Sequence, residues 1–129
     1  FIKERRWHDH LKGFSFLSAG AITGILKENQ LTSNLHVNWC PFWHPTNQFL
    51  IYTTSEISHQ NYELFVCDTS KNTPENSVAN KIRITHTDGF DGLPVFSVDG
   101  KMLMWTSKRG TNSSQLWVAP FNSSSIKFE

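Results

Sequence analysis

Moved by 53 residues, this sequence falls on itself, and that repeat limits the possible folds more than any other feature. Gln30-Leu31-Thr32 lands on Arg83-Ile84-Thr85, Asn38 on Asp91, Cys40-Pro41-Phe42-Trp43 on Leu93-Pro94-Val95-Phe96, and Leu50-Ile51-Tyr52-Thr53 on Leu103-Met104-Trp105-Thr106. Glu63-Leu64-Phe65-Val66 then matches Gln115-Leu116-Trp117-Val118 at an offset of 52, so one gap placed in a loop is enough. A period of this length marks stacked units, each of which buries its apolar face only against a neighbour.

Within each unit, short β-branched and aromatic runs alternate with turn formers, which is the pattern of strands and not of helices. In the second unit, strands are expected at residues 93–97, 101–107 and 115–119. Asp99-Gly100 forms the first turn, since both residue types tolerate the positive φ of a two-residue hairpin. Residues 108–114 form a polar loop. The first unit reads as strands 40–44, 49–54 and 62–67, with a turn at Thr46-Asn47 and a loop over 55–60. Fourth strands are expected at 81–85 and, for the unit before, at 29–32. Four antiparallel strands per repeated unit describe the blades of an all-β propeller, here an incomplete one.

These strands carry a resemblance. FDGLPVFSVDGKMLMWTSKRG followed by QLWVA resembles the TolB-like, WD-repeat-related β-propeller motif, in which a Ser-x-Asp-Gly-Lys turn precedes an apolar strand. NWCPFWHPTNQFLIYTTS followed by NYELFVCD is similar to the blade that precedes it, with Thr46-Asn47-Gln48 in place of Asp-Gly-Lys. The resemblance covers about residues 31–121 and implies one partial propeller: a blade over 31–85, a blade over 86–129, and in 1–30 a helical insertion with the remnant of a preceding blade. A short helix is expected at 3–12, strand remnants at 14–17 and 21–26, and a mobile polar insertion containing Pro74 at 72–80. For function, the resemblance implies a non-enzymatic protein-binding module of the periplasmic Tol envelope and biopolymer transport type, its partner an envelope lipoprotein or membrane protein. The alternative is the substrate-gating propeller of a prolyl-oligopeptidase or dipeptidyl-peptidase-like enzyme.

Composition narrows the field further. Ten Phe and five Trp in 129 residues demand burial that a solvated coil cannot provide. A net charge of +1 offers no field to attract nucleic acid. No apolar run reaches the roughly 20 residues of a membrane span. Phe1, with neither Met nor a signal sequence, reads as the start of a mature, cleaved or truncated product. Cys40 and Cys67 fit no metal spacing. They are expected as free thiols, because two inter-strand steps of about 4.8 Å part their strands, beyond the usual reach of a disulfide.

The residues that suggest chemistry have plainer readings. His8-Asp9-His10 would lie on different faces of a helix and so hold no metal. His44 falls at a turn and reads as a hydrogen-bonded turn histidine. Asp91 reads as a carboxylate accepting backbone N–H bonds, since Asn38, which cannot serve as a general base, occupies the matched site. There is no Gly-x-Ser-x-Gly elbow and no phosphate-cradling glycine loop, so no catalytic residue, metal or cofactor is assigned. Alternation places most of Trp39, Phe42, Trp43, Phe96, Trp105 and Trp117 in the core between blades. Asn112-Ser113-Ser114 and Asn122-Ser123-Ser124 match the glycosylation triplet, which arises readily by chance in an Asn/Ser-rich chain.

Propeller loops that join blade to blade and second strand to third share one face. Here those loops span 33–37, 55–60, 87–90 and 108–114. The candidate binding residues are His36, Asn38 and Trp39 on the first blade's entrance and His59 on its hairpin. On the second blade they are Asp88, Phe90 and Asp91 with Lys108 and Arg109. Open blade faces also lead us to expect self-association, through ends at 14–26 and 115–128, or a longer propeller.

Overall fold

The computed structural model of the chain describes residues 30–69 and 80–128, and all of its strands are antiparallel within two sheets. The first sheet runs β1 (Asn38–Trp43), β2 (Phe49–Ser58), β3 (Asn61–Asp68) and β4 (Lys81–Arg83), in that order. The second runs β5 (Asp91–Phe96), β6 (Met102–Ser107) and β7 (Gln115–Pro120), and a 3-10 turn at Ser123–Ser125 follows. The fold is all-β, built of propeller blades in an open, incomplete array. The expected helix at 3–12, the strand remnants at 14–26, the His8-Asp9-His10 triplet and nearly all of the 72–80 insertion lie outside the described residues.

The repeat is visible in the backbone itself. On β1, Trp39 pairs with Thr53 and Phe42 with Ile51, so two residues oppose one. On β5, Gly92 pairs with Thr106 and Val95 with Met104, the same irregularity 53 positions on. Pro41 and Pro94 have no N–H to give a ladder, so each sits in a bulge on an edge strand. The residue before each proline takes a left-handed conformation, Cys40 at φ 49° and Leu93 at φ 57°. The β1–β2 and β5–β6 turns also match, with Asn47 at φ 60° and Gly100 at φ 71°. Asp99 does not share that conformation, as the two-residue hairpin would require. Gly100 N–H instead closes on Ser97 O at 2.9 Å, and Asp99 Oδ1 accepts from Ser97 Oγ and from the Lys101 N–H.

Three expected boundaries are corrected. The loop over 55–60 shrinks to His59-Gln60, because β2 continues to Ser58 and pairs there with Asn61. Ser55 extends the strand by exchanging two hydrogen bonds with Val37, a partner remote in sequence. Residues 30–32 form no strand; Leu31 packs instead on the cluster of Leu50, Tyr52, Phe65 and Cys67. The second sheet has three strands among the described residues, not four.

The sheets pack face to face through one apolar layer. Phe49, Ile51, Leu64 and Val66 of the first meet Phe96, Leu103 and Trp105 of the second, and Phe42, Ile84 and Phe121 pack around them. Each fully buried side chain of this kind stabilises by about 1.5–3 kcal/mol. His44 pins the layer's edge. Its ring is buried, stacks on Phe49 at 4.5 Å, and bridges Thr46 Oγ1 (2.8 Å) and Gly100 O (3.2 Å) in the second sheet. The Thr46 N–H also points at Nδ1, so Nε2 carries the proton and donates to the carbonyl. The turn-histidine reading therefore holds, with a cross-blade bond added. Both cysteines are free, Cys67 buried and Cys40 partly so, on strands separated by β2.

Candidate functional site

Both sheets present loops at the end where β1 and β5 begin and β2 and β6 finish. Before β1, Asn34 organises a tight polar loop. Its Oδ1 accepts from the His36 N–H and from Asn38 Nδ2, while its Nδ2 donates to Glu56 Oε1 at 2.7 Å. Glu56 also pairs with Lys81, so loop, hairpin and β4 are tied together. With its polar groups bonded to one another, the loop leaves Leu35 fully exposed at its tip, and Val37 and Ile57 are exposed beside it.

Next to these lies an aromatic cluster spanning the two blades. Trp39, Tyr62 and Phe90 meet pairwise with ring centroids 5.9–6.4 Å apart, and His59 packs on Tyr62 at 6.3 Å. Tyr62 and Phe90 are joined by a parallel bridge, and the Tyr62 N–H donates to Gly89 O. Gly92 gives Phe90 its place, since a Cβ at 92 would stand 2.5 Å from Phe90 Cζ.

A second cluster begins one residue further on. Asp91 is buried, but it accepts from side chains and not from the backbone N–H groups expected of it. Trp105 Nε1 donates at 3.1 Å, and Arg109 forms an ion pair at 2.7 Å. The Arg109 guanidinium also donates to Ser107 Oγ and lies between the rings of Trp105 and Trp117, 5.1 and 5.3 Å from their centroids. Such stacking favours a planar, weakly hydrated cation.

Of the nine candidate residues, the structure joins Asn38 to His36 through a bond to the His36 carbonyl, and Trp39 to Phe90 by ring contact. It joins Phe90 to Lys108 through the Lys108 N–H, and Asp91 to Arg109 by charge. His59 enters only through Tyr62, and Asp88 stands exposed on the loop before Phe90. Because Asp91 is buried, it can act on a partner only through Arg109.

Sequence reasoning missed Tyr62, Leu35, Val37 and Ile57. Large apolar residues inside polar loops were the available signal. It also placed too many aromatics inside: Trp39, Trp43 and Trp117 are each about two-fifths exposed. Trp117 shares the inward face with Trp105 but lies on the last strand, where cover is incomplete.

The buried titratable groups of the first sheet serve the framework. Glu63, fully buried, holds Arg83 at 2.7 Å and accepts from Thr85 Oγ1. Burial, with Glu56 and Cys67 nearby, holds the Tyr52 phenol well above the ordinary tyrosine range. Burial likewise pushes the Cys67 thiol up to about 11, with Asp68 adding to the effect and Lys81 opposing it.

No protein-family model matches this sequence, and no curated protein does. Solved structures do. TolB from Acinetobacter baumannii matches at 21% identity and a TM-score of 0.56 over 76% of this chain and 22% of its own. A putative TolB from Agrobacterium tumefaciens matches at 22% identity and a TM-score of 0.56 over 76% of this chain and 31% of its own. The likeness is one of fold: the described sheets are TolB-like propeller blades. The chain spans less than a third of the length of either structure.

Proposed function

We propose that this chain is a non-enzymatic protein-interaction module of the cell envelope, which grips a protein partner with its loop end. The observation that carries this reading is the Trp39–Tyr62–Phe90 cluster with exposed Leu35, Val37 and Ile57 at its rim. Large rings held by strands lose little freedom on binding, and a central apolar anchor within a polar surround is how interfaces concentrate their affinity. His36, His59, Asp88 and Lys108 supply the surround, and Arg109 offers a rigid cation at its border. The resemblance to TolB-like propellers supports a periplasmic setting and an envelope lipoprotein or membrane protein as partner.

The test is retention from envelope extract on the immobilised chain, comparing wild type with a Leu35→Asp, Trp39→Ala variant. The variant should lose the retained polypeptide by at least about 10-fold, while Met104→Glu, on a different surface, keeps it. Equal retention by the rim variant would sink the proposal. So would peptidase turnover that disappears when one of the chain's serines or histidines is replaced.

A further inference from the structure

Between residues 84–87, which link the two blades, and the strands β6 and β7 lies a cavity of about 220 Å³. Leu103, Trp105, Ala119 and Phe121 give it apolar walls, and His86, Thr87 and Arg109 give it a polar border. That border has donors to spare. Asp91 takes Nη2 of Arg109 and Ser107 takes Nε, and the rings of Trp105 and Trp117 hold the guanidinium plane, while Nη1 has no hydrogen-bond partner among the described residues. The side chains of His86 and Thr87 are exposed and likewise unbonded there. The matched surroundings of Leu31 in the first blade have Tyr52 for Trp105 and Cys67 for Ala119, but Glu56 for Arg109, with its two oxygens already bonded to Asn34 and Lys81.

From this arrangement we infer that the cavity is a binding site for a small aromatic carboxylate, its ring against Trp105 and Phe121 and its carboxylate on Arg109 Nη1, with His86 and Thr87 beside it. Apolar walls with a few converging polar groups are the usual build of a small-ligand site. The volume falls below the roughly 300–1,000 Å³ of a drug-sized site, so a single ring fits and a nucleotide does not. Arginine matches a carboxylate through planar N–H groups, and this one is oriented before any ligand arrives, so little freedom is lost on binding. Asp91 offsets much of the cation's charge. Selection therefore rests on hydrogen bonds to the carboxylate and not on attraction at a distance. A free aromatic acid and the C-terminal phenylalanine of a polypeptide both present this chemistry. The site uses none of the three rings of the Trp39–Tyr62–Phe90 cluster, so it stands or falls independently of the protein-binding reading.

NMR titration of the 129-residue chain with phenylacetate tests this, read at the indole N–H of Trp105 and the Nε–H of Arg109. It runs to about 20 mM, because a ligand of about ten non-hydrogen atoms binds at millimolar strength. Both signals should shift and saturate. Phenylacetamide, of the same shape without the charge, should bind at least about 10-fold more weakly. Tighter binding by N-acetyl-glycyl-phenylalanine than by phenylacetate would support the site with a polypeptide C-terminus as its source, and the reverse order would support it with a free acid. Ala119→Leu, which fills the cavity from its wall, should abolish the shift and keep the wild-type far-ultraviolet spectrum. Three outcomes overturn the inference: no saturating shift in the wild-type chain, phenylacetamide binding as tightly as phenylacetate, or folded Ala119→Leu binding as tightly as wild type.

Discussion

Replacing Gly100 by alanine sets a backbone requirement and a packing requirement against each other at the junction of the blades. Gly100 has φ +71°, a conformation that costs an L-residue roughly 1–2 kcal/mol. A Cβ there would stand 2.5 Å from His44 Nε2 and 2.8 Å from Cε1. The ring has little room to retreat: it is buried, stacks on Phe49, meets Phe96 edge-on at 4.8 Å and is tied to Thr46. Displacing it forfeits the bond to Gly100 O, worth about 1 kcal/mol, and strains the packed layer by about 1–3 kcal/mol. The total is roughly 3–6 kcal/mol, a large share of the 5–15 kcal/mol typical of a domain. Urea unfolding followed by tryptophan fluorescence reads it. Asn47→Ala, at the matched turn with φ 60° and an exposed side chain, should cost only about 1 kcal/mol. In a His44→Ala background, Gly100→Ala should fall to roughly 1–2 kcal/mol, because the φ strain remains with only the milder 3.3 Å approach to Pro45 Cδ. An equal cost for Gly100→Ala with and without His44 would refute the steric argument.

Asp91→Asn keeps an acceptor for Trp105 but removes the charge facing Arg109. With Asp91 buried and Arg109 partly exposed, urea titration should show a loss of about 1.5–3 kcal/mol, whereas a change below 0.5 kcal/mol would mean the pair is only decorative. Thiol counting without reductant should find two per denatured chain, and in the native state at pH 8 only Cys40 should react quickly, since burial suppresses the Cys67 thiolate. Because the folded Cys67 value is raised, the unfolded chain ionises first, so stability relative to Cys67→Ala should fall as pH climbs from 9.0 towards about 11. The Ser97 hydroxyl and the Lys101 N–H hold the Asp99 carboxyl below 3.8, so what it contributes is present above the ordinary carboxylate value and fades as pH falls through the lowered one. Titration by NMR should move that value up in Ser97→Ala; an unmoved value would remove the hydroxyl as a cause.

What the sequence made legible was whatever depends on neighbours along the chain. The β1–β2 and β5–β6 hairpins follow from Asn47 and Gly100, and the period of 2 within β6 puts Leu103 and Trp105 inside with Met102 and Met104 outside. Ser55, Glu56 and Ser58 read as a loop because they are polar, yet they extend β2 through Val37, Asn34 and Lys81, partners found only in three dimensions. Residues 30–32 match 83–85 in sequence, but a strand needs an edge to pair with. Ile84 finds Leu64 O at 2.8 Å, while Leu31 meets only side chains of the first sheet. Tyr62 escaped notice for the same reason, since Phe90 gives it a role from the neighbouring blade.

The candidate site was less legible than the fold, and the repeat explains why. Its apolar positions are interchangeable: Ile51 for Met104, Val66 for Val118, Leu64 for Leu116. Its polar positions are not. In the second blade Asp91 joins Trp105 to Arg109, but the matched residues Asn38, Tyr52 and Glu56 form no such unit. Asn38 turns its amide to Asn34 and the His36 carbonyl, and Glu56, with a charge opposite to that of Arg109, pairs with Lys81 instead. Three changed polar positions therefore rewire a whole loop end while the layer beneath it stays the same. Burial constrains a side chain mainly by volume, whereas a polar group at the rim is constrained by each partner it must satisfy. That freedom lets two blades of one pattern present an apolar loop tip on one side and a stacked arginine on the other.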